Sequence, residues 1–285
     1  MDKIINRAVN INTEGRLSVL TFDDKESKVN TWNDIIAEGF MDAIEYLRDL
    51  IQDGQIDGII IRSGKEKNFH AGADLKSATT AESRLDMLKR YEFFHAIMTK
   101  IASLKVPTLA AINGHALGGG LELALSCDYR IARSFEKTQI GLPEVGIGRF
   151  PCYGGTQRLP RLIGLAAIPL IMESKKLSAQ EAFEQGVVDH FVHEEADLLA
   201  EAKTFLYAII NKEITVEHPS WNFSDIKSAL EPYRVQYIGK ESTVPAQELL
   251  LNVFEEGLPT DLYTGLEIEK KYRVVLADQQ LYKRN

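Results

Sequence analysis

The chain has 285 residues, of which 45% are hydrophobic and 26% charged, which is enough apolar material for one sizeable core. Its net charge of −8 argues against nucleic acid as a partner, because phosphate backbones require clustered Lys and Arg. The sequence has no CxxC or metal-binding cysteine spacing, no apolar signal peptide and no apolar run near membrane-spanning length. These features predict a cytoplasmic protein without a membrane partner, with an organelle reached by another kind of signal as the alternative location.

In chain order, short apolar runs alternate with helical patterns. The runs predict strands at 16–22, 56–61, 108–113, 128–132 and 187–192. Helices are predicted at 32–51, with Thr31 as a candidate cap, at about 81–104, directly after the glycines at 118–120, and at 178–186. In the last of these helices, Ser178 and Glu181 have the spacing of a capping box. The alternation predicts the α/β class, although the strands are short for a doubly wound sheet.

From about residue 195 the pattern becomes helical. Helices are predicted at 198–210, 224–238, 245–256 and 262–283, with prolines between them. We therefore predict a core over residues 1–195 and a helical C-terminal region over residues 196–285. Such a region docks either on its own core or on a neighbouring subunit.

Two glycine motifs are candidates for backbone hydrogen-bond donors. The first comprises Ala71, Gly72, Ala73 and Asp74 after an apolar run, and the second is Leu117 with the three glycines that follow it. Each turn leaves N–H groups unpaired, and two such groups aimed at one point form an oxyanion hole. The alternative is that both turns serve only the chain topology.

Two glutamates lie in contexts that suit proton transfer. Glu122 follows the glycines and precedes an apolar stretch, and Glu144 follows Pro143. The preference for acidic residues and for proline in the first turn of a helix is enough to explain both positions. The alternative is a partly desolvated carboxylate, whose altered pKa is useful in catalysis. The spacing leaves open whether the two meet in space. No nucleotide-binding glycine motif and no metal-ligand spacing is found, so neither a metal nor a separate cofactor is predicted.

Three segments occur in the order and spacing of a known family. FHAGADL, INGHALGGGLELALSCDYRIA and IGLPEVGIGRFPCYGGTQRLPRLIG resemble the enoyl-CoA hydratase/isomerase (crotonase) superfamily, over roughly residues 10–195. KVNTW and LGGGLELALSCDYRIA look most like the N-terminal hydratase part of multifunctional fatty-acid oxidation proteins. The resemblance implies a spiral of short ββα turns with a helical C-terminal region, and it makes residues 1–195 the catalytic core.

The resemblance also implies roles for individual residues. Ala73 and Gly119 would hold the thioester oxygen, and Glu122 and Glu144 would be catalytic, without a decision on which is the base and which the acid. The other residues expected to bind substrate are Lys28, Ala71, Gly72, Asp74, Leu75 and Gly118. The substrate would be an acyl-CoA thioester, trans-2-enoyl-CoA, hydrated to 3-hydroxyacyl-CoA. Because CoA is part of the substrate, no separate cofactor is implied.

The presence of both glutamates favours a hydratase of fatty-acid β-oxidation, with Δ3-Δ2-enoyl-CoA isomerase as a second activity. The segment 149–153 departs from the family pattern, which leaves acyl specificity open and keeps an isomerase, thioesterase or lyase as alternatives. A non-catalytic acyl-CoA-binding or assembly module is a further alternative. The assembly would be a homotrimer or hexamer, or a monomer with the tail folded on the core. A 3-hydroxyacyl-CoA dehydrogenase part, which follows in the multifunctional relatives, would be a linked partner outside this sequence.

Overall fold

The computed structural model describes residues 1–73, 84–239 and 245–282. The described strands, numbered along the chain, are β1 (Asp2–Ile4), β2 (Val9–Glu14), β3 (Leu17–Phe22), β4 (Gly58–Ser63), β5 (Asn68–His70), β6 (Thr108–Ile112), β7 (His115–Leu117), β8 (Tyr129–Arg133), β9 (Ile140–Gly141), β10 (Lys176–Leu177) and β11 (His190–Val192). They form one sheet of seven strands and one of four.

The larger sheet has the spatial order β1-β2-β3-β4-β6-β8-β11. Its first three strands form an antiparallel meander, and β3, β4, β6, β8 and β11 run parallel to one another. These five parallel strands confirm the predicted strands, although β11 covers only the last part of 187–192. The apolar run in β4 is buried because helices cover both faces of the sheet.

The smaller sheet has the order β10-β9-β7-β5. Its strands β5, β7 and β9 are parallel, and β10 is antiparallel to β9. None of these short strands was predicted, because two or three residues are too few to establish an alternating pattern. This sheet determines the position of the candidate site described below.

The described helices are α1 (Asp34–Gln52), α2 (Arg84–Ala102), α3 (Gly119–Leu125), α4 (Gly155–Ile163), α5 (Ala167–Met172), α6 (Ala179–Glu184), α7 (Leu198–Ile210), α8 (Ile226–Tyr237), α9 (Pro245–Gly257) and α10 (Leu262–Tyr282). The predicted cap of α1 is wrong: the Asn33 side chain, and not that of Thr31, accepts from the amide of Ile36 at 3.0 Å. The capping box at Ser178 is confirmed. Helices α4 and α5 were not predicted.

Helices cover the large sheet on both faces. Helix α1 buries Phe40, Ala43 and Leu47 in the main core, next to α2. On the other face, α7 packs its buried residues against Leu17 and Ile60. The α/β class is therefore confirmed. The first helix of the predicted C-terminal region lies on the sheet of the core, and the division at residue 195 stays a prediction.

The last helices fold back onto the same chain. Helices α9 and α10 pack against each other and against α4, and α10 also contacts α2. The C-terminal region thus docks on its own core, which is one of the two arrangements the sequence left open; the number of chains in the assembly stays a prediction. None of the helices within residues 1–73, 84–239 and 245–282 has the length and apolar character needed to cross a membrane.

Candidate active site

Three parallel strands of the small sheet lead directly into the segments that the sequence singled out. Strand β5 is followed by residues 71–73, β7 by Gly118 and α3, and β9 by the turn that carries Glu144. The carboxyl ends of parallel strands lie at one edge of a sheet, where open α/β folds place their ligands. The topology therefore brings three distant parts of the sequence to one place.

The two glycine turns are in contact. Gly72 has a φ of +87°, and a Cβ there would lie 2.7 Å from the carbonyl oxygen of Leu117 and 3.4 Å from the amide nitrogen of Gly119. Gly119 is the first residue of α3, so its N–H has no acceptor within the helix. The positive φ and the short distance to the Leu117 carbonyl both require a residue without a side chain at position 72, and glycine lets the two turns lie side by side.

Trp32 and His70 hold these turns in place. The Trp32 amide donates to the carbonyl of Gly72 at 2.9 Å, and its indole Nε1–H donates to the carbonyl of Gly119 at 3.1 Å. The amide of Gly72 donates to Nδ1 of the buried His70 at 3.0 Å. Burial lowers the pKa of His70 to about 3, so the ring stays neutral and accepts this bond. The sequence placed Trp32 at the start of a helix and gave His70 no role.

Glu122 is a buried hydrogen-bond acceptor in the first turn of α3. Its side chain is 1% exposed, and Oε1 accepts from the amides of Tyr153 at 2.7 Å and Gly155 at 2.8 Å. A Cβ on residue 155 would lie 2.9 Å from this oxygen, so glycine is required for the close approach. Two amide donors favour the ionised form of the carboxyl.

Glu144 opens the short 3₁₀ helix Glu144–Ile147 and turns its carboxyl towards the glycine turn. A Cβ on Gly118 would lie 2.6 Å from Oε1 of Glu144. Its Oε2 is buried and has no hydrogen-bond partner in the described part of the chain. Burial of this oxygen without a donor favours the protonated form, which contrasts with the two amide donors of Glu122.

The ionisation of the two carboxyl groups is linked. Burial raises the pKa of Glu122 to about 7, against the opposing effect of its backbone donors. Burial and then the charge of Glu122 raise the pKa of Glu144 well above its ordinary value. The charge on one carboxyl group therefore disfavours ionisation of the other, and the two amide donors favour Glu122 as the group that ionises first.

Glu269, in α10, is a third buried carboxylate that the sequence analysis missed. It is fully buried and accepts from the amides of Gly154 at 2.8 Å and Thr156 at 3.2 Å, and from the hydroxyl of Thr156. Burial, followed by the charge of Glu122, raises its pKa to about 8. The charge of the buried Arg158 opposes this rise, and Nη1 of Arg158 donates to the carbonyl of Tyr153 at 3.2 Å.

A helical spacing was the signal that could have identified Glu269. The buried stripe of α10 contains Leu266, Glu269, Arg273 and Leu276, at intervals of three or four residues. In the sequence LEIEKKYR, the many charged neighbours are typical of a solvent-exposed helix, and they concealed this stripe.

The predicted site segments surround one cavity of about 480 Å³. Seven of the predicted residues line it: Ala71, Gly72, Ala73, Gly118, Gly119, Glu122 and Glu144. Lys28 lies on an exposed loop between β3 and α1 and is not among the lining residues, so its role stays a prediction. Asp74 and Leu75 lie outside the described residues. Arg149, Cys152, Tyr153 and Arg273 also contribute to the wall.

The chemical character of the cavity follows from these groups. It combines turn amides that can hold a carbonyl oxygen, two carboxyl groups of unlike environment, and apolar residues such as Leu117, Ile147 and Phe150 in the wall. Within the part of the chain that the structure describes, no three His, Cys, Asp or Glu side chains cluster as a metal site would require. The arrangement suits proton transfer next to a polarised carbonyl group.

Comparisons with known proteins agree with this geometry. A model of the family described as enoyl-CoA hydratase/isomerase matches residues 12–222. The chain is 35% identical over 266 residues to a fatty acid oxidation complex subunit alpha from Shewanella loihica, and 37% identical over 268 residues to one from Vibrio parahaemolyticus. Each match covers 90% of this chain and 37% of the relative, so the chain spans little more than a third of the length of these curated relatives.

Solved structures share the fold. An enoyl-CoA hydratase from Bacillus anthracis has a TM-score of 0.65 at 28% identity, with 98% of this chain and 96% of that chain covered. An enoyl-CoA hydratase from Rhodobacter sphaeroides has a TM-score of 0.69 at 19% identity, with 95% of this chain and 86% of that chain covered. At this identity the similarity concerns the fold alone. The chain therefore belongs to the enoyl-CoA hydratase/isomerase family, among the enzymes of the crotonase superfamily, as the sequence motifs predicted.

Proposed function

We propose that the chain is an enoyl-CoA hydratase that adds water to trans-2-enoyl-CoA and releases 3-hydroxyacyl-CoA. The observation that carries this proposal is the unlike pair of carboxyl groups in one cavity: Glu122 has two amide donors, and Oε2 of Glu144 has none among the described residues. Hydration requires a base for water and an acid for carbon, and this pair supplies both.

The proposed reaction uses the groups as follows. Ionised Glu122 takes a proton from water as its oxygen bonds to C3 of the enoyl group. The electron pair of the double bond moves towards the thioester oxygen, where the amides of Ala73 and Gly119 stabilise the negative charge. Protonated Glu144 then gives its proton to C2. Transfer of the proton from Glu122 to Glu144 restores the starting state.

The relatives suggest the pathway. Because they are named as subunits of a fatty acid oxidation complex, we place the reaction in fatty-acid β-oxidation. Its product, 3-hydroxyacyl-CoA, is the substrate of a 3-hydroxyacyl-CoA dehydrogenase, which is the partner activity expected to follow. Isomerisation between Δ3 and Δ2 double bonds is a second activity, because it requires one proton-transfer group and Glu144 lies next to the glycine turn.

The test follows the loss of enoyl absorbance with crotonyl-CoA. Glu122→Gln and Glu144→Gln are each expected to lower kcat by about 10²–10⁴-fold, because a positioned acid or base contributes that much. Glu267→Gln is the matched control, because Glu267 is an exposed glutamate. Robust hydration by both site variants would refute the proposal, and tight CoA-ester binding without turnover in the wild type would favour a binding module.

A further inference from the structure

Arg273 is a buried cation at the wall of the active-site cavity that the proposed reaction does not use. It lies on α10, one turn after Glu269, and is 8% exposed. Its Nη1 is buried and has no hydrogen-bond acceptor among the described residues. This N–H belongs to a cationic group and has lost its hydration without gaining a hydrogen-bond acceptor from the protein, which is unfavourable.

The groups around Arg273 do not satisfy that N–H. The Tyr91 ring centroid lies 5.8 Å from Cζ of Arg273, which gives only a cation–π contact. The carboxylates of Glu122 and Glu269 accept from backbone amides of residues 153–156. A buried charge without a full set of hydrogen-bond partners is destabilising. An anionic group of the bound ligand would supply the acceptor that Arg273 lacks.

The position of Arg273 defines which part of a ligand it meets. The same cavity contains the glycine turns that would hold the thioester and the two carboxyl groups that would act on C2 and C3. Arg273 shares its wall with Cys152 and Tyr153, in the segment where the sequence departs from the family pattern. The other two cationic residues of the lining are more accessible to solvent than Arg273, because Lys176 is exposed and Arg149 is half-buried.

We infer that Arg273 forms an acyl subsite that binds a carboxylate at the far end of the substrate's acyl chain. This inference rests on the proposed function and narrows its substrate class to enoyl-CoA thioesters with an ω-carboxylate. A guanidinium group matches a carboxylate with two parallel N–H bonds. A methyl-ended acyl chain leaves the buried N–H unpaired and is therefore the poorer substrate.

The test compares kcat/KM for pairs of substrates that differ only at the far end. The pairs are trans-2-hexenedioyl-CoA with trans-2-hexenoyl-CoA, and the corresponding eight-carbon thioesters. We expect the wild type to prefer the carboxylated thioester of at least one pair by about tenfold or more, and Arg273→Met to abolish this preference. Arg273→Lys keeps the charge but loses the planar fork, so an intermediate preference is expected even if the methionine variant does not fold.

Arg84→Met is the matched control. Arg84 is exposed and pairs with Asp278 of α10, the helix that carries Arg273, but it does not line the cavity. This variant should keep the preference of the wild type. Equal rates for both members of each wild-type pair would overturn the inference. An equal loss of kcat/KM for both thioesters of a pair in Arg273→Met would also overturn the inference. That result would show that Arg273 contributes only to the charge balance of the site.

A binding measurement separates this inference from the proposed function. Adipoyl-CoA and hexanoyl-CoA have no double bond, so calorimetry with these thioesters does not depend on hydratase activity. Tighter binding of adipoyl-CoA that is lost in Arg273→Met would support the subsite even if no thioester is hydrated. Equal affinities in the wild type would overturn the subsite while leaving the hydratase proposal intact.

Discussion

Glu122 and Glu269 accept hydrogen bonds from alternate amides of a single turn. The amides of Tyr153 and Gly155 donate to Glu122, and those of Gly154 and Thr156 donate to Glu269. These amides lie at the N-terminus of α4, where N–H groups have no acceptor inside the helix and the helix dipole favours negative charge. The last described helix thus helps to fix the turn that orients a proposed catalytic base.

The first prediction concerns Glu269 as a positioning residue. In Glu269→Gln, the side-chain NH₂ group faces a backbone N–H that donates to Glu269 in the wild type. Two donors cannot bond to each other, so the turn at 153–156 should shift. We expect kcat to fall about tenfold with little change in KM, because the loss lies in the geometry of Glu122 rather than in substrate binding. Glu269 becomes negatively charged only as the pH rises towards about 8, and a negative charge there opposes ionisation of Glu122. Glu269→Gln should therefore change the shape of the kcat/KM profile above about pH 7 and leave that shape unchanged at lower pH.

Steady-state kinetics across a pH series measure both effects for Glu269→Gln. Glu267→Gln is the control on the same helix, since Glu267 is exposed. A purely structural role would reduce the amount of folded enzyme without moving the pH profile. A kcat/KM profile of unchanged shape between about pH 7 and about pH 9 would therefore contradict the assignment of Glu269.

The second prediction separates two reactions of the family. Glu122→Gln should lose hydration by about 10²-fold or more, because water then has no base. It should retain most Δ3-to-Δ2 isomerisation. Removal of the charge of Glu122 favours the ionised form of Glu144, which can take a proton from C2 and return it to C4. Glu144→Gln should lose both activities. Product analysis by mass distinguishes the hydrated from the isomerised thioester, and equal losses of both reactions in Glu122→Gln would contradict the division of roles.

The five parallel strands of the large sheet and the two glutamates were accessible from sequence for physical reasons. Buried parallel strands such as β4 are continuous apolar runs, and a glycine turn before an apolar helix is a local pattern. The contacts of Trp32 and Glu269 were not accessible, because they join residues 87 and 115 positions apart. Strand β2 was overlooked although Val9 and Ile11 alternate with asparagines, since a short polar strand gives a weak signal.

The third prediction tests the close approach at Gly118, which has a φ of +53° and would place a Cβ 2.6 Å from Oε1 of Glu144. Gly118→Ala should cost about 1–3 kcal/mol of stability and also displace the Glu144 carboxyl, lowering kcat at least tenfold. Gly54→Ala is the matched control, because Gly54 has a φ of +63° and no atom within 4 Å of its Cβ position. The control should lose about 1–2 kcal/mol of stability and retain full activity. Full activity in both variants would contradict the proposed role of the turn.

The fourth prediction follows from the raised pKa of Glu269, which is about 8 in the folded chain against an ordinary value of 4.5. Between these values the folded state binds more protons than the unfolded state, so the contribution of Glu269 to stability is present at low pH and is lost as the pH rises. Relative to Glu269→Gln, the wild type should therefore lose at least about 1 kcal/mol of unfolding free energy from about pH 5 to about pH 8.

The comparison with Glu269→Gln is essential because other buried groups act in the opposite direction. Burial lowers the pKa of His70 to about 3 and of His95 to about 4, so both histidines make the folded state more stable as the pH rises towards their ordinary value. Both histidines are present in the variant, and their effect cancels in the difference. Denaturant unfolding at each pH measures that difference. A difference that stays constant with pH would show that Glu269 is ionised throughout, and that Arg158 and the amides of α4 compensate its burial fully.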